Sequence, residues 1–123
     1  MIALDTSALQ RFLAGNLDRN TGVVQRAVAS REAVLPPVVV TEALSKPKPD
    51  AELVRLVMSI GVLSILPGYW ERAGFLRAAL LRLKVKAKLA DTLIAQSCID
   101  NNIPLITYDD DFRHFVRAGL ELL

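Results

Sequence analysis

Four acidic residues stand out because the residues around them are mostly apolar. Asp5 follows the apolar run 1–4, and Asp109 follows a second apolar run, 103–107. Glu42 lies in a segment rich in valine, and Asp91 lies in the sequence Leu-Ala-Asp-Thr-Leu-Ile-Ala. Such flanks predict at least partial burial of these side chains, and a buried carboxylate needs a partner to replace its lost hydration.

Lysines and arginines are poor candidates for that partner, because they lie mainly on the exposed faces of predicted helices. A divalent cation such as Mg²⁺, which prefers oxygen ligands, would neutralise converging carboxylates. A bound Mg²⁺ ion lowers the pKa of a bound water and neutralises charge on phosphoryl oxygens. The pattern indicates metal-assisted phosphodiester hydrolysis, although Asp5, Asp91 or Asp109 taken alone could simply cap a helix, and Glu42 taken alone could be a solvated helix residue.

Composition excludes several other kinds of site. The chain has a single cysteine, Cys98, and a single histidine, His114, so it has no internal disulfide, Cys-based zinc site or cluster of imidazoles. A single cysteine with no disulfide partner is typical of proteins in the reducing cytoplasm, where we expect this protein to reside. Its 123 residues, 52% of them hydrophobic, predict a single folded domain over 1–123 with no membrane span.

Strands and helices are predicted to alternate along the chain. Apolar runs bounded by turn residues predict strands at 1–4, 33–35, 62–66 and 103–107, with an edge strand at 120–123. Helices are predicted after Asp5, from Asn20, after Asp50, and at 69–83 and 89–101. This order predicts a three-layer α/β fold, with a mainly parallel sheet of four to five short strands flanked by helices. Asp5 and Asp109 then lie at the same edge of the sheet.

Residues 38–44 fit two structures. Three consecutive valines favour a strand, whereas Pro37 suits the first position of a helix. Local propensity leaves this segment undecided.

Charge is unevenly distributed, although the net charge is only +2. Residues 71–88 contain six basic residues and one acid. Such a stretch could hold a phosphate backbone, or it could be a solvated helix face. The four residues that we expect to contact such a backbone are Arg82, Lys84, Lys86 and Lys88.

Taken in order, four segments resemble the PIN-domain family of metal-dependent nucleases. They are Asp5-Thr6-Ser7, Thr41-Glu42-Ala43-Leu44, the segment 90–95 around Asp91, and the segment 105–112, which reads Leu-Ile-Thr-Tyr-Asp-Asp-Asp-Phe. The resemblance covers essentially the whole chain. It implies that Asp5, Glu42, Asp91 and Asp109 form an acidic quartet, which holds one or two Mg²⁺ or Mn²⁺ ions for RNA hydrolysis. Within this quartet, Glu42 would bind the ion either directly or through a water molecule.

The resemblance also implies roles for neighbouring residues. The hydroxyls of Thr6, Ser7 and Thr107 would support the carboxylates or bound waters, Asp111 would be a supporting acid, and Asp110 would point away. Residues 38–44 would be helical.

A chain of this length is most similar to the toxins of VapBC-type toxin–antitoxin pairs. That similarity implies a homodimer and inhibition by a small antitoxin protein. The sequence Lys-Pro-Lys-Pro at 46–49 departs from the continuous helix that often follows the glutamate. A stand-alone PIN nuclease in RNA processing would have the same sequence features.

Three other classes also place acids at a sheet edge. Haloacid-dehalogenase-like phosphatases require a second aspartate two residues after the first, where this chain has Ser7. A receiver domain would have an aspartate after a middle strand, where this chain has Pro67-Gly68. A PIN fold that serves only as an acidic binding module normally has a broken quartet, whereas all four acids are present here.

Overall fold

Four short strands form one parallel sheet in the computed structural model, which describes residues 1–123. The strands are β1 (Ile2–Leu4), β2 (Ala33–Leu35), β3 (Gly61–Val62) and β4 (Leu105–Ile106). Their order in the sheet is β3-β2-β1-β4. In β1, Ala3 pairs with Val34 on one side and with Leu105 on the other.

Helices form every connection between the strands, as parallel pairing requires. They are α1 (Thr6–Leu13), α2 (Arg19–Ala29), α3 (Pro37–Leu44), α4 (Ala51–Ser59), α5 (Tyr69–Arg82), α6 (Leu89–Asn101) and a 3₁₀ helix (Asp110–Ala118). The predicted α/β fold with a parallel sheet flanked by helices is confirmed.

Local signals explain several helix ends. Asp18 and Thr21 form a capping box at the start of α2, and Asp50 accepts a hydrogen bond from the Glu52 N–H at the start of α4 (2.9 Å). Pro37 is the first residue of α3, so the segment that propensity left undecided is helical. A left-handed Asn102, with φ of 53°, ends α6.

The hydrophobic core lies on both faces of the sheet. Ala3 and Leu4 of β1 and Leu105 and Ile106 of β4 have no exposed surface, and they belong to a cluster of 25 buried hydrophobic residues. Burial on both faces explains why the strands are continuous apolar runs instead of alternating patterns. Cys98 also belongs to this cluster.

Two predicted strands are shorter than expected. The strand predicted at 62–66 is the two-residue strand Gly61–Val62, which begins one residue earlier and ends early because its neighbour β2 ends at Leu35 and Pro36 begins the turn into α3. The segment 103–107 pairs only at Leu105–Ile106, because β1 ends where Asp5 caps α1. The predicted edge strand 120–123 is a single bridge between Leu105 and Leu122. None of the helices is long and apolar enough to span a membrane.

Candidate metal centre

Asp5 is the most tightly held acid of the predicted quartet. It is 4% exposed and caps α1, since Oδ1 accepts hydrogen bonds from the Ala8 N–H (2.9 Å) and the Ser7 hydroxyl (2.7 Å). Its other oxygen, Oδ2, accepts a hydrogen bond from Thr107 Oγ1 (2.5 Å). Three donors therefore fix the orientation of this carboxylate.

Two hydroxyls join the ends of β1 and β4. Ser7 Oγ, which donates to Asp5, also accepts a hydrogen bond from the Tyr108 N–H (2.9 Å). Thr107 Oγ1 donates to Asp5 and accepts from the Asp109 N–H (3.0 Å). The segment after β4 is thus placed directly against the residue that follows β1.

Three carboxylates converge beside this junction. Asp91, in the first turn of α6, and Asp109 and Asp111, at the start of the 3₁₀ helix, place carboxylate oxygens within 4.8 Å of one another. Asp109 Oδ1 also accepts a hydrogen bond from the Asp111 N–H (2.9 Å), so it caps that helix. In contrast, Asp110 is directed to solvent, with 87% of its side chain exposed.

Mutual repulsion and burial affect the protonation of these acids. Burial raises the pKa of Asp91 to about 6, with further contributions from the charges of Asp109 and Glu42. Glu42 is exposed, although its apolar flanks predict partial burial; partial desolvation raises its pKa, and the Asp5 charge adds to this rise. The pKa of Asp5 is raised by burial and, to a lesser extent, by Asp109, against the opposing effect of its hydrogen bonds. The four acids are therefore close enough to influence one another.

Asp91 has no partner in the chain. It accepts no hydrogen bond and forms no ion pair, whereas Glu42 has the Thr6 hydroxyl beside it, which acts to lower the Glu42 pKa. Carboxylate oxygens are hard ligands of the kind that Mg²⁺ and Mn²⁺ prefer. The cluster of Asp91, Asp109 and Asp111, with Asp5 and Glu42 next to it, therefore fits a divalent cation.

One lysine of the basic stretch reaches the acidic cluster. Lys86 Nζ lies 3.1 Å from Asp111 Oδ2, and this contact lowers the pKa of Asp111. The Lys88 charge lowers the pKa of both Asp111 and Asp91. These two lysines border the cluster from the loop between α5 and α6.

Other basic residues of that stretch have structural contacts or are simply exposed. Arg72 binds Asp100 through two hydrogen bonds (3.0 and 2.6 Å), and Arg77 Nε donates to the Ala87 carbonyl (2.8 Å). Arg82 and Lys84 are exposed and make no hydrogen bond or ion pair.

Sequence reasoning did not identify two features of this region. The ion pair between Lys86 and Asp111 has no local signal, because the two residues are distant in sequence. The hydrogen bond from the Tyr108 hydroxyl to Asp18 Oδ1 (2.8 Å) has no local signal either. The pairing of Asp111 with Asp109, in contrast, could have been predicted from their two-residue spacing at a helix start.

Comparisons with known proteins agree with this architecture. Residues 2–118 match the family model described as the PIN domain. A similar solved structure is the crystal structure of VapBC2 from Rickettsia felis bound to a DNA fragment from their promoter. It has a TM-score of 0.75 and 20% sequence identity, and the match covers 100% of this chain and 98% of that chain. No curated protein matches the chain. Since the family match spans nearly the whole sequence, this chain belongs to the PIN domain family.

Proposed function

We propose that this protein is a metal-dependent endoribonuclease that hydrolyses RNA phosphodiester bonds with Mg²⁺ or Mn²⁺. The observation that carries the proposal is the convergence of Asp91, Asp109 and Asp111 within 4.8 Å, next to Asp5 and Glu42. PIN domains are generally nucleases, and this chain belongs to that family. Family membership leaves the phosphatase and receiver-domain interpretations without support.

Asp5, Asp91 and Asp109 are the proposed metal ligands, with Asp111 beside them and Glu42 contributing through a water. A bound divalent cation would lower the pKa of a water and neutralise charge on the phosphoryl oxygens. Ser7 and Thr107 hold Asp5 in a single orientation through their hydroxyl groups.

Glu42 has the properties of a general base. Partial desolvation and the Asp5 charge raise its pKa, and a raised pKa makes a carboxylate a stronger base. We assign it the role of receiving the proton of the attacking water. The Thr6 hydroxyl, which lies beside Glu42 and acts to lower its pKa, is placed to bind the same water.

Lys86 and Lys88 are the basic residues best placed to contact the phosphate next to the cleaved bond. Both influence the acidic cluster electrostatically, and the Lys86 side chain is 58% exposed. Arg82 and Lys84 would extend this contact along the RNA backbone.

The test is Asp5→Asn. Asparagine still accepts a hydrogen bond at a helix N-terminus, so the cap on α1 is retained while the negative charge is lost. We expect cleavage of a labelled single-stranded RNA in Mn²⁺ to fall at least about 100-fold, and EDTA to abolish it in the wild type.

Asp110→Asn is the matched control, because it removes an exposed carboxylate next to the same cluster. It should cleave RNA as the wild type does. Unchanged activity in Asp5→Asn would overturn the assignment. A DNA oligonucleotide of the same sequence, assayed in parallel, tests the preference for RNA.

We further propose that the protein is the toxin of a type II toxin–antitoxin pair, acting in the cytoplasm as a homodimer. The end-to-end structural similarity to the VapBC2 structure supports this assignment. A neighbouring gene for a small DNA-binding protein, whose coexpression relieves growth arrest caused by this protein, is the expected finding. An isolated gene with no effect on growth would favour the stand-alone RNA-processing nuclease.

A further inference from the structure

We propose that a polar groove on α1 binds one nucleotide of a single-stranded RNA, with its base stacked on the Arg11 guanidinium. This inference rests on the proposed nuclease function, because the groove would position RNA for cleavage. The groove has a volume of about 380 Å³ and is lined by Ser7, Gln10, Arg11, Ala14, Asn16 and Tyr108.

The groove begins at the acidic site itself. Ser7, at one end, donates a hydrogen bond to Asp5 and accepts one from the Tyr108 N–H. The lining residues of α1 recur at spacings of three and four, so they occupy one face of the helix. Because α-helices rise 1.5 Å per residue, this face extends about 10 Å away from the proposed metal ligands. A strand cleaved at the acidic cluster can therefore continue into the groove.

A preorganised stack of two side chains forms the wall of the groove. Arg11 Cζ lies 4.4 Å from the centroid of the Tyr108 ring. Asp18 holds both members, since it accepts a hydrogen bond from the Tyr108 hydroxyl (2.8 Å) and lies 3.7 Å from Arg11 Nη1. Asp18 is itself fixed by the capping box of α2. The stack is thus ordered without a ligand, which lowers the entropic cost of binding.

The exposed surface of this stack suits a nucleobase. The Arg11 side chain is 46% exposed although Tyr108 lies beneath it. Unpaired bases stack on aromatic rings and on guanidinium planes, and an arginine also attracts the adjoining phosphate. The amides of Gln10 and Asn16 line the same groove and can bind the polar edge of a base. Since a base must be unpaired to stack on a side chain, we infer a single strand.

Binding of a fluorescein-labelled ten-nucleotide RNA, followed by fluorescence anisotropy in EDTA, tests the proposal. Arg11→Gln should weaken binding about 5-fold or more, as loss of one base stack predicts. It should also reduce the dependence of log Kd on log salt by about 0.7, the value for one phosphate contact to a single strand. Arg11→Lys keeps the positive charge but lacks the planar guanidinium on which a base can stack, so it should weaken binding while keeping the salt dependence.

Tyr108 offers a second, independent pair of variants. Tyr108→Phe keeps the ring under Arg11 but loses the hydrogen bond to Asp18, so it should bind RNA more tightly than Tyr108→Leu, which loses the ring and should bind about 5-fold more weakly than the wild type. Arg55→Gln on α4 is the charge control, since Arg55 is exposed and lies outside the groove. Circular dichroism establishes that each variant is folded.

The outcomes separate the groove from the nuclease assignment. If Arg11→Gln and Tyr108→Leu both bind RNA as Arg55→Gln does, the groove proposal is wrong, even where the wild type cleaves RNA. If binding depends on Arg11 and Tyr108 but the wild type cleaves no RNA in Mn²⁺, the groove is supported and the proposed function fails.

Discussion

Asp91 differs from Asp5 and Asp109 in that no group of the chain donates a hydrogen bond to its carboxylate. Helix capping accounts for Asp5 and Asp109, which accept backbone N–H groups at the starts of α1 and the 3₁₀ helix. It does not account for Asp91, which lies inside the first turn of α6 after the unbonded cap residue Lys88. Asp91 is half-buried, and no group of the chain replaces the hydration that it loses, so its presence points to a ligand.

The pH dependence of stability tests this view of Asp91. A pKa raised from 3.8 to about 6 means that the folded chain binds the proton more tightly than the unfolded chain does. The free energy of unfolding should therefore fall as pH rises from about 4 to about 6 in metal-free buffer. This rise in the pKa of Asp91 corresponds to a change of at most about 3 kcal/mol in the free energy of unfolding. Because Asp91 is partly exposed to solvent, we expect about 1 kcal/mol.

Asp91→Asn should therefore be more stable than the wild type at pH 7 in EDTA, and the two proteins should converge near pH 4. Urea unfolding at several pH values measures both effects. The exposed Asp110→Asn is the control and should follow the wild type throughout. A wild type whose stability rises between pH 4 and 6 in the same way as that of Asp91→Asn would contradict the assignment.

At the scale of secondary structure, the site depends on the parallel alignment of β1 and β4. Both strands end at the same edge, and Thr107 carries the link between them, from Asp5 Oδ2 to the Asp109 N–H. The sequence predicts this meeting because a parallel sheet brings strand ends together. It does not predict which hydroxyl makes the link, since Ser7 and Thr107 are separated by 100 residues.

Thr107→Val tests the link, because valine matches the shape of threonine but has no hydroxyl. It leaves Asp5 Oδ2 and the Asp109 N–H without a partner, so we expect a loss of about 1–3 kcal/mol in the free energy of unfolding. Mn²⁺ affinity, measured by calorimetric titration, should fall about 10-fold. Thr107→Ser restores the hydroxyl and should restore most of the affinity. Equal affinity in both variants would show that the hydroxyl does not position the carboxylate.

Helices whose own residues mark their starts could be predicted from the sequence, whereas strand lengths that depend on a neighbouring strand could not. Pro37 and Asp50 mark the starts of helices whatever surrounds them. The lengths of β3 and β4, in contrast, are set by where β2 and β1 end. The sequence of residues 62–66 does not by itself indicate where β3 must end.

At the scale of the whole molecule, fewer basic residues of the stretch 71–88 are available to bind RNA than the sequence indicates. Arg72 and Arg77 hold α5 against α6 and the loop before it, so they are not free to bind RNA. Lys86 and Lys88 remain next to the acids. We infer that residues 1–123 form one domain around the 25-residue core, with the acidic cluster at one edge.

Metal binding at that edge should stabilise the entire fold. A ligand that binds only the folded state raises the free energy of unfolding by about 2.7 kcal/mol at a concentration 100 times its Kd. For a chain of 123 residues this corresponds to a rise in Tm of roughly 10 °C. Scanning calorimetry with and without Mg²⁺ or Mn²⁺ measures the rise. The rise should be much smaller in Asp91→Asn, which removes one proposed ligand, and unchanged in Asp110→Asn. Since Asp91→Asn is expected to melt higher than the wild type in EDTA, the comparison must be made between the shifts caused by metal. Equal shifts in all three proteins would show that Asp91 is not a ligand, whereas no shift in the wild type would remove the metal from the proposed function.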